Sequence, residues 1–213
     1  MKFCDERGRL DIDAFRHATR TMITAQEILV DLSSYPRREI AQNSHDFRPL
    51  GLGYTNLGAW LMVNGVPYDS EEGRVMAGAI TALMTGTSYD QSARIASRVG
   101  AFHKYDENKE QFLRVMRQHR EAAEKLERKS GLESLVEAAV RSWDEAIGIG
   151  GKFGYRNAQT TVIAPTGTIS FFMDADTFGL EPDFALVKTK KLAGGGGIRI
   201  PNRSIAVALK NLG

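Results

Sequence analysis

Apolar positions recur at helical spacing over most of the chain. Ile12, Phe15, Ala18, Met22, Ala25, Leu29 and Leu32 follow at intervals of three or four, which predicts an amphipathic helix over residues 11–32. Asp11 or Asp13 is placed to cap it. A short helix is expected after Pro36, a residue tolerated in a first turn. Asp69-Ser70-Glu71-Glu72 reads as a capping-box variant opening a long helix. Its stripe is Val75, Met76, Ala79, Ile80, Leu83, Ala93 and Ala96, with Gly86 a point of interruption and Gly100 its end. Two further stripes flank Gly131: Phe112, Val115, Met116, His119, Ala122, Ala123 and Leu126, then Leu132, Leu135, Val136, Ala139, Val140, Trp143 and Ile147. Gly148, Gly150 and Gly151 are expected to stop the second, and Asn202 to cap a last helix over 204–212.

Strand signals are fewer. Pro49–Tyr54 is a short apolar run, and Gln159–Ala164 is β-branched and short enough for a buried strand. Leu186–Leu192 and Ile198–Ile200 are weaker candidates. Strands alternating with helices predict an α/β layer architecture with parallel pairing. Helices outnumber strands by more than a closed parallel sheet accommodates, and the chain opens abruptly. Both point to an incomplete, helix-rich piece of a larger domain.

Composition narrows the function. Of 213 residues, 28 are Lys or Arg and 26 Asp or Glu, so a formal charge of +2 gives no electrostatic reason to expect nucleic-acid binding. No apolar run approaches the ~20 residues of a membrane span, and the N-terminus MKFCDERGR lacks the apolar core of a secretory signal. The single cysteine, Cys4, excludes an internal disulfide framework and a multi-cysteine metal site, and suggests a cytoplasmic setting.

The most informative segment is Gln159–Ser170, QTTVIAPTGTIS. A strand running into Pro165, Thr166, Gly167, Thr168, Ile169 and Ser170 offers backbone N–H groups and hydroxyls suited to phosphate oxygens. Gly167 removes the Cβ that would block close approach. No Gly-Lys-Ser/Thr follows, so this is not a Walker loop, and an ordinary strand-to-helix turn is the alternative. Gly51-Leu52-Gly53 begins like a dinucleotide fingerprint. Asn56 replaces its third glycine and no acid-terminated second strand follows, so tight packing explains these glycines better. Asp174, Asp176, Glu181 and Asp183 could ligate a divalent cation, but their spacing matches no calcium loop and solvated or capping carboxylates fit better. His17, His45, His103 and His119 lack metal spacing, Lys104–Arg128 reads as an exposed helix face, and Cys4 as a small packed residue. Gly194–Gly197 is either a ligand-approaching loop or a mobile turn.

Three segments together carry a resemblance. NSHDFRPLGLGYTNLGAWLM (43–62), VPYDSEEGRVMAGAITALMTG (66–86) and APTGTISFFMDADTFGLEPDFALVKTKKLAGGG (164–196) resemble the adenosylcobalamin-dependent, class II ribonucleotide reductases, in their diphosphate-reducing branch. The likeness runs the length of the chain. It implies that residues 1–213 are a single partial domain, the C-terminal portion of a ten-stranded α/β catalytic barrel. It implies thiyl-radical reduction of a ribonucleoside diphosphate, with adenosylcobalamin generating the radical. Nucleotide effectors, a dithiol reductant such as thioredoxin, and a homodimer are the implied partners.

The family's radical cysteine, its flanking Asn and Glu, and its reducing cysteines have no counterpart here, so no catalytic residue is assigned and Cys4 is not given the radical. The phosphate turn does carry over, onto Pro165, Thr166, Gly167, Thr168, Ile169 and Ser170. The chain by itself is expected to be an inactive fragment. A cobalamin-independent class I large subunit ranks second, because its turn usually carries Ser and Glu where Thr166 and Gly167 stand. A non-catalytic nucleotide-phosphate-binding module ranks third.

Overall fold

A computed structural model describes residues 2–213. In chain order the elements are α1 (Ile12–Leu32), α2 (Arg38–Phe47), α3 (Leu57–Val63), α4 (Glu71–Val99), α5 (Tyr105–Glu124), α6 (Glu133–Phe153), α7 (Ile169–Phe172), β1 (Val187–Lys191), β2 (Gly197–Pro201) and α8 (Ser204–Leu212). They fall into two compact units. One is helical and comprises Ile12–Leu52 with Gly78–Val162; the other comprises Met1–Asp11, Gly53–Ala77 and Ile163–Gly213.

The helical unit is built on aromatic packing. Tyr89 of α4, Tyr105 and Phe112 of α5, Trp143 of α6, and Phe102 and Tyr155 in the connections form one cluster, most ring centroids 5.0–6.2 Å from a neighbour. Gly86 does not interrupt α4. A Cβ there would sit 3.0–3.1 Å from Ser142 Cβ and Trp143 N, so the glycine permits close approach to α6. Nor do Gly148, Gly150 and Gly151 end α6, which continues to Phe153. Gly154, at φ +75°, stops it, because the left-handed conformation costs glycine little.

The face that α1 buries differs from the apolar stripe. Phe15, Thr19, Ile23, Glu27 and Val30 are buried, whereas Met22, Leu29 and Leu32 are exposed. Polar partners explain the rotation. Thr19 donates its hydroxyl proton to Phe15 O. Glu27 accepts from Arg48 Nε (2.6 Å), Arg156 Nε (2.7 Å) and Asn157 Nδ2 (2.5 Å). Arg48, itself at φ +49°, also forks onto Asp31 with two 2.8 Å bonds. A carboxylate with several charge-assisted donors can occupy a core position that its hydropathy would forbid.

The expected strands Pro49–Tyr54 and Gln159–Ala164 reduce to an isolated parallel bridge, Leu52 with Thr161. It is flanked by Leu50 N–H to Gln159 O (2.8 Å) and Leu52 N–H to Thr160 O (3.0 Å). Pro49 brings no N–H and Gly51 and Gly53 no side chain, so little extends the pairing. The one ladder among the described residues is antiparallel, not parallel. It pairs β1 with β2 in the register Val187–Pro201 through Lys191–Gly197. Five residues connect the two strands, too few for a parallel crossover.

Candidate functional site

The second unit is organised around the N-terminus of α3, an element the periodicity did not predict. It is short and buried on nearly every side. The segment following the Pro165–Ser170 turn is clamped there by three side chains. Asn56, at φ +73°, accepts through Oδ1 from the N–H groups of Asp176 (2.8 Å) and Thr177 (3.0 Å). Thr55 donates to Thr177 O (2.7 Å) and accepts from Gly179 N–H (3.0 Å). Thr177 Oγ1 accepts from Ala59 N–H (3.1 Å), capping α3 from outside its own sequence. Gly58 leaves room for the clamp: a Cβ there would lie 2.7 Å from Glu181 O.

The turn itself contains two consecutive left-handed residues, Thr166 (φ +61°) and Gly167 (φ +54°). Thr166 is held there by its hydroxyl, which donates to Pro165 O (2.7 Å) and accepts from Gly179 N–H (3.0 Å). Ser170, fully buried, places its hydroxyl against Thr166 Oγ1. These two hydroxyls are therefore spent inside the turn. Backbone bonds close it: Gly167 N–H to Pro165 O (2.7 Å) and Ser170 N–H to Gly167 O (3.1 Å). Pro165, Gly167, Thr168 and Ile169 are exposed. Thr168 is thus the turn's outward hydroxyl.

The hairpin supplies a residue that motif reading missed. Lys190 Nζ donates to Thr168 Oγ1 (3.1 Å) and stands 4.6 Å from the ring centroid of Phe171. Two positions back on the same strand face, Lys188 is almost completely buried. Its ammonium contacts both oxygens of Asp183 (2.6 and 2.8 Å) and Asp176 O (2.7 Å). It also lies 5.7 Å from the rings of Phe178 and Phe184. The signal for Lys190 was its period-two spacing from Lys188, visible only once the strand register is known.

The acidic residues near the turn have structural partners. Asp183 holds Lys188 and accepts from Asn202 Nδ2 (2.6 Å). Asp174 pairs with Arg203 (2.8 Å), and Asp176 Oδ1 accepts from Arg203 N–H (3.0 Å). Hydrogen bonding to Asp174 raises the Arg203 pKa against the opposing effect of desolvation. Among the described residues no group of His, Cys, Asp and Glu is arranged to hold a metal ion. Asn202 Oδ1 accepts from Ser204 N–H (2.9 Å), which starts α8. The long helix α4 is capped by Ser70, not Asp69: Ser70 Oγ accepts from Gly73 N–H (3.0 Å), while Asp69 pairs with Arg74. Gly195 and Gly196, both at positive φ, form the tip of the hairpin.

The remaining candidates have surroundings of their own. Burial pushes the Cys4 thiol up to about 11, far from a reactive thiolate. His119 stacks on Trp143 at 5.1 Å, and desolvation lowers its pKa. His103 Nδ1 bonds Asp46 (2.7 Å), and His45 lies 3.4 Å from Asp31. No helix among the described residues is long and apolar enough to cross a membrane.

Comparison with known proteins gives a consistent picture. A family profile described as "Ribonucleotide reductase, barrel domain" matches residues 1–213. The vitamin B12-dependent ribonucleotide reductase of Rhodopirellula baltica is 54% identical over 213 residues, covering 100% of this chain and 20% of that protein. The proteins of the same name from Agrobacterium fabrum and Bradyrhizobium diazoefficiens are 49% and 48% identical. Those matches cover 100% and 95% of this chain, but 18% and 17% of those proteins. The chain therefore spans about a fifth of the length of the curated relatives it matches.

Proposed function

Because the chain belongs to the ribonucleotide reductase barrel-domain family, we propose that it supplies the substrate-phosphate turn of a vitamin B12-dependent ribonucleotide reductase. The whole polypeptide converts a ribonucleoside diphosphate to its deoxy form, and residues 1–213 are part of its ten-stranded α/β barrel. Pro165, Thr166, Gly167, Thr168, Ile169 and Ser170 form the diphosphate turn, Thr166 and Ser170 by fixing its shape. The supporting observation is the division of labour within the turn. Thr166 and Ser170 lock a strained left-handed pair, leaving Gly167, Thr168 and Ile169 presented outward. A preformed backbone costs little to order on binding.

Adenosylcobalamin, when bound, supplies the radical that initiates such a reaction. The cleft of about 450 Å³ beside α3 and α8 does not fit a corrin seat: it is lined by Arg7, Asn64, Lys210 and small or aliphatic neighbours, with no imidazole or aromatic face. Cys4 is the chain's single thiol, so radical and dithiol chemistry falls to residues outside this segment. Nucleotide effectors, a dithiol reductant such as thioredoxin, a homodimer and a cytoplasmic setting belong to the same proposal.

The test is steady-state kinetics of a complete reductase carrying this segment. Changing Thr166, Thr168 and Ser170 together to Ala raises the KM for nucleoside diphosphate roughly 10- to 100-fold, with a smaller fall in kcat. The phosphates do not change during reduction, so their contacts are uniform binding. The hydrogen bond from the Thr168 hydroxyl to a charged phosphate is worth roughly 1.5–3 kcal/mol, and losing the Thr166 and Ser170 hydroxyls loosens the turn that they lock. Gly167→Val does more damage, because it forces a branched side chain into φ +54°. Unchanged affinity in the triple variant refutes the assignment.

A further inference from the structure

A phosphate turn made of backbone and hydroxyls alone leaves most of a diphosphate's charge unanswered. The acids around this turn are committed elsewhere: Asp183 to Lys188, Asp174 and Asp176 to Arg203. Lys190 is different. None of the described ion pairs uses it, and its ammonium rests on the outward hydroxyl of Thr168, over the Phe171 ring. We propose that Lys190 is a substrate-binding residue: it supplies the cation of the phosphate site, delivered from the β1–β2 hairpin to the turn. This rests on the reading of Pro165–Ser170 as the phosphate turn.

The hairpin is built to deliver that charge. Side chains two apart on a strand share a face. Lys188 fixes that face by burying its ammonium between Asp183 and Asp176 O, and Asn202, just past β2, holds the other side of Asp183. The register of β1 is thereby pinned from within, and Lys190 is left on the same side at the surface. Phe171 supports its ammonium by a cation–π contact without consuming the positive charge. A phosphate oxygen arriving at Thr168 meets an ammonium already within hydrogen-bond reach of that hydroxyl. A lysine acts there as a point charge and places no demand on bidentate geometry, so it accepts different nucleotides equally. Lys190 therefore contributes affinity for the diphosphate and no discrimination between bases.

The experiment uses the complete reductase with Lys190→Met, Lys190→Gln and Lys190→Arg, and Thr168→Ala as the reference variant. KM and kcat are measured with nucleoside diphosphates of two different bases, and inorganic pyrophosphate is titrated as a competitive inhibitor. Lys190→Met and Lys190→Gln are expected to raise KM and the pyrophosphate inhibition constant about 10-fold, the size of one charge-assisted hydrogen bond. The kcat stays within about twofold, the change is equal for both bases, and Lys190→Arg restores most of the affinity. Lys190→Gln keeps a polar hydrogen-bonding side chain without the charge and Lys190→Met keeps the length, so agreement between Met and Gln assigns the loss to charge. If Thr168→Ala raises KM but Lys190→Met does not, the turn reading stands and this proposal is overturned. If neither moves KM, both are overturned. A loss that Lys190→Arg fails to restore, or one confined to kcat, also overturns it.

Discussion

The hairpin's buried ion pair offers the sharpest test of the energetic reasoning. Lys188→Met removes an ammonium that contacts three oxygens at 2.6–2.8 Å and leaves Asp183 with Asn202 Nδ2 as its remaining side-chain donor. Both charged side chains are only 3% exposed, so water cannot readily replace the lost partner. Breaking such a pair from one side costs about 3–5 kcal/mol. Methionine keeps the apolar contact with Phe178 and Phe184 but forfeits two cation–π contacts of about 0.5–1 kcal/mol each. At about 1.4 kcal/mol per factor of ten, the lower end of that range predicts roughly 100-fold faster hydrogen exchange at the β1–β2 ladder amides. The amide of Phe102, bonded to Tyr155 O in the helical unit, serves as the unaffected control. Removing both charges, as Lys188→Met with Asp183→Leu, recovers at least half of the loss, because two apolar side chains leave no buried charge unpaired. Ladder exchange accelerated less than about fivefold in the single variant would refute the reasoning. The pair would then be worth no more than a solvated surface bridge.

Two further outcomes follow from the same geometry. Asn56→Ala removes two acceptor bonds at 2.8 and 3.0 Å and places alanine at φ +73°. It should destabilise the clamp by about 2–3 kcal/mol, and Asn56→Gly by less, as read from exchange of the Thr177 amide. In the helical unit, the hydrogen bond from His103 holds the Asp46 carboxyl below its usual range, with Gln42 adding to it against the opposing effect of desolvation. A lowered folded-state pKa contributes stability that is complete above the unfolded value near 4 and is lost as pH falls through the folded value. The stability gap between wild type and Asp46→Asn, from urea titrations at pH 5 and below, should therefore shrink on acidification. A gap independent of pH would show that the His103 contact is absent in solution.

Much of the helical architecture was legible in the residue pattern. The helices α1, α4, α5 and α6 were marked by period-3.6 stripes, although α6 runs past its glycines and α1 buries a rotated face. Pro165–Ser170 was legible as a turn for a different reason: a glycine among hydroxyl residues is a local statement about backbone permissiveness. What the pattern could not decide was which polar residues would be paid for by partners far away in sequence. Glu27 replaces an apolar position on the buried face of α1 because Arg48, Arg156 and Asn157 converge on it. Thr177 caps α3, and Asn56 holds the Asp176 and Thr177 amides, each across more than a hundred residues. Gly86 and Gly150 read as breaks, yet each is a point of close approach inside an unbroken helix. The hairpin pairs antiparallel where alternation suggested parallel strands, and only its register brings Lys190 to Thr168. Local sequence determines periodicity and backbone permissiveness. The burial of charge and the meeting of distant side chains depend on a low-dielectric interior that exists only after the chain has folded.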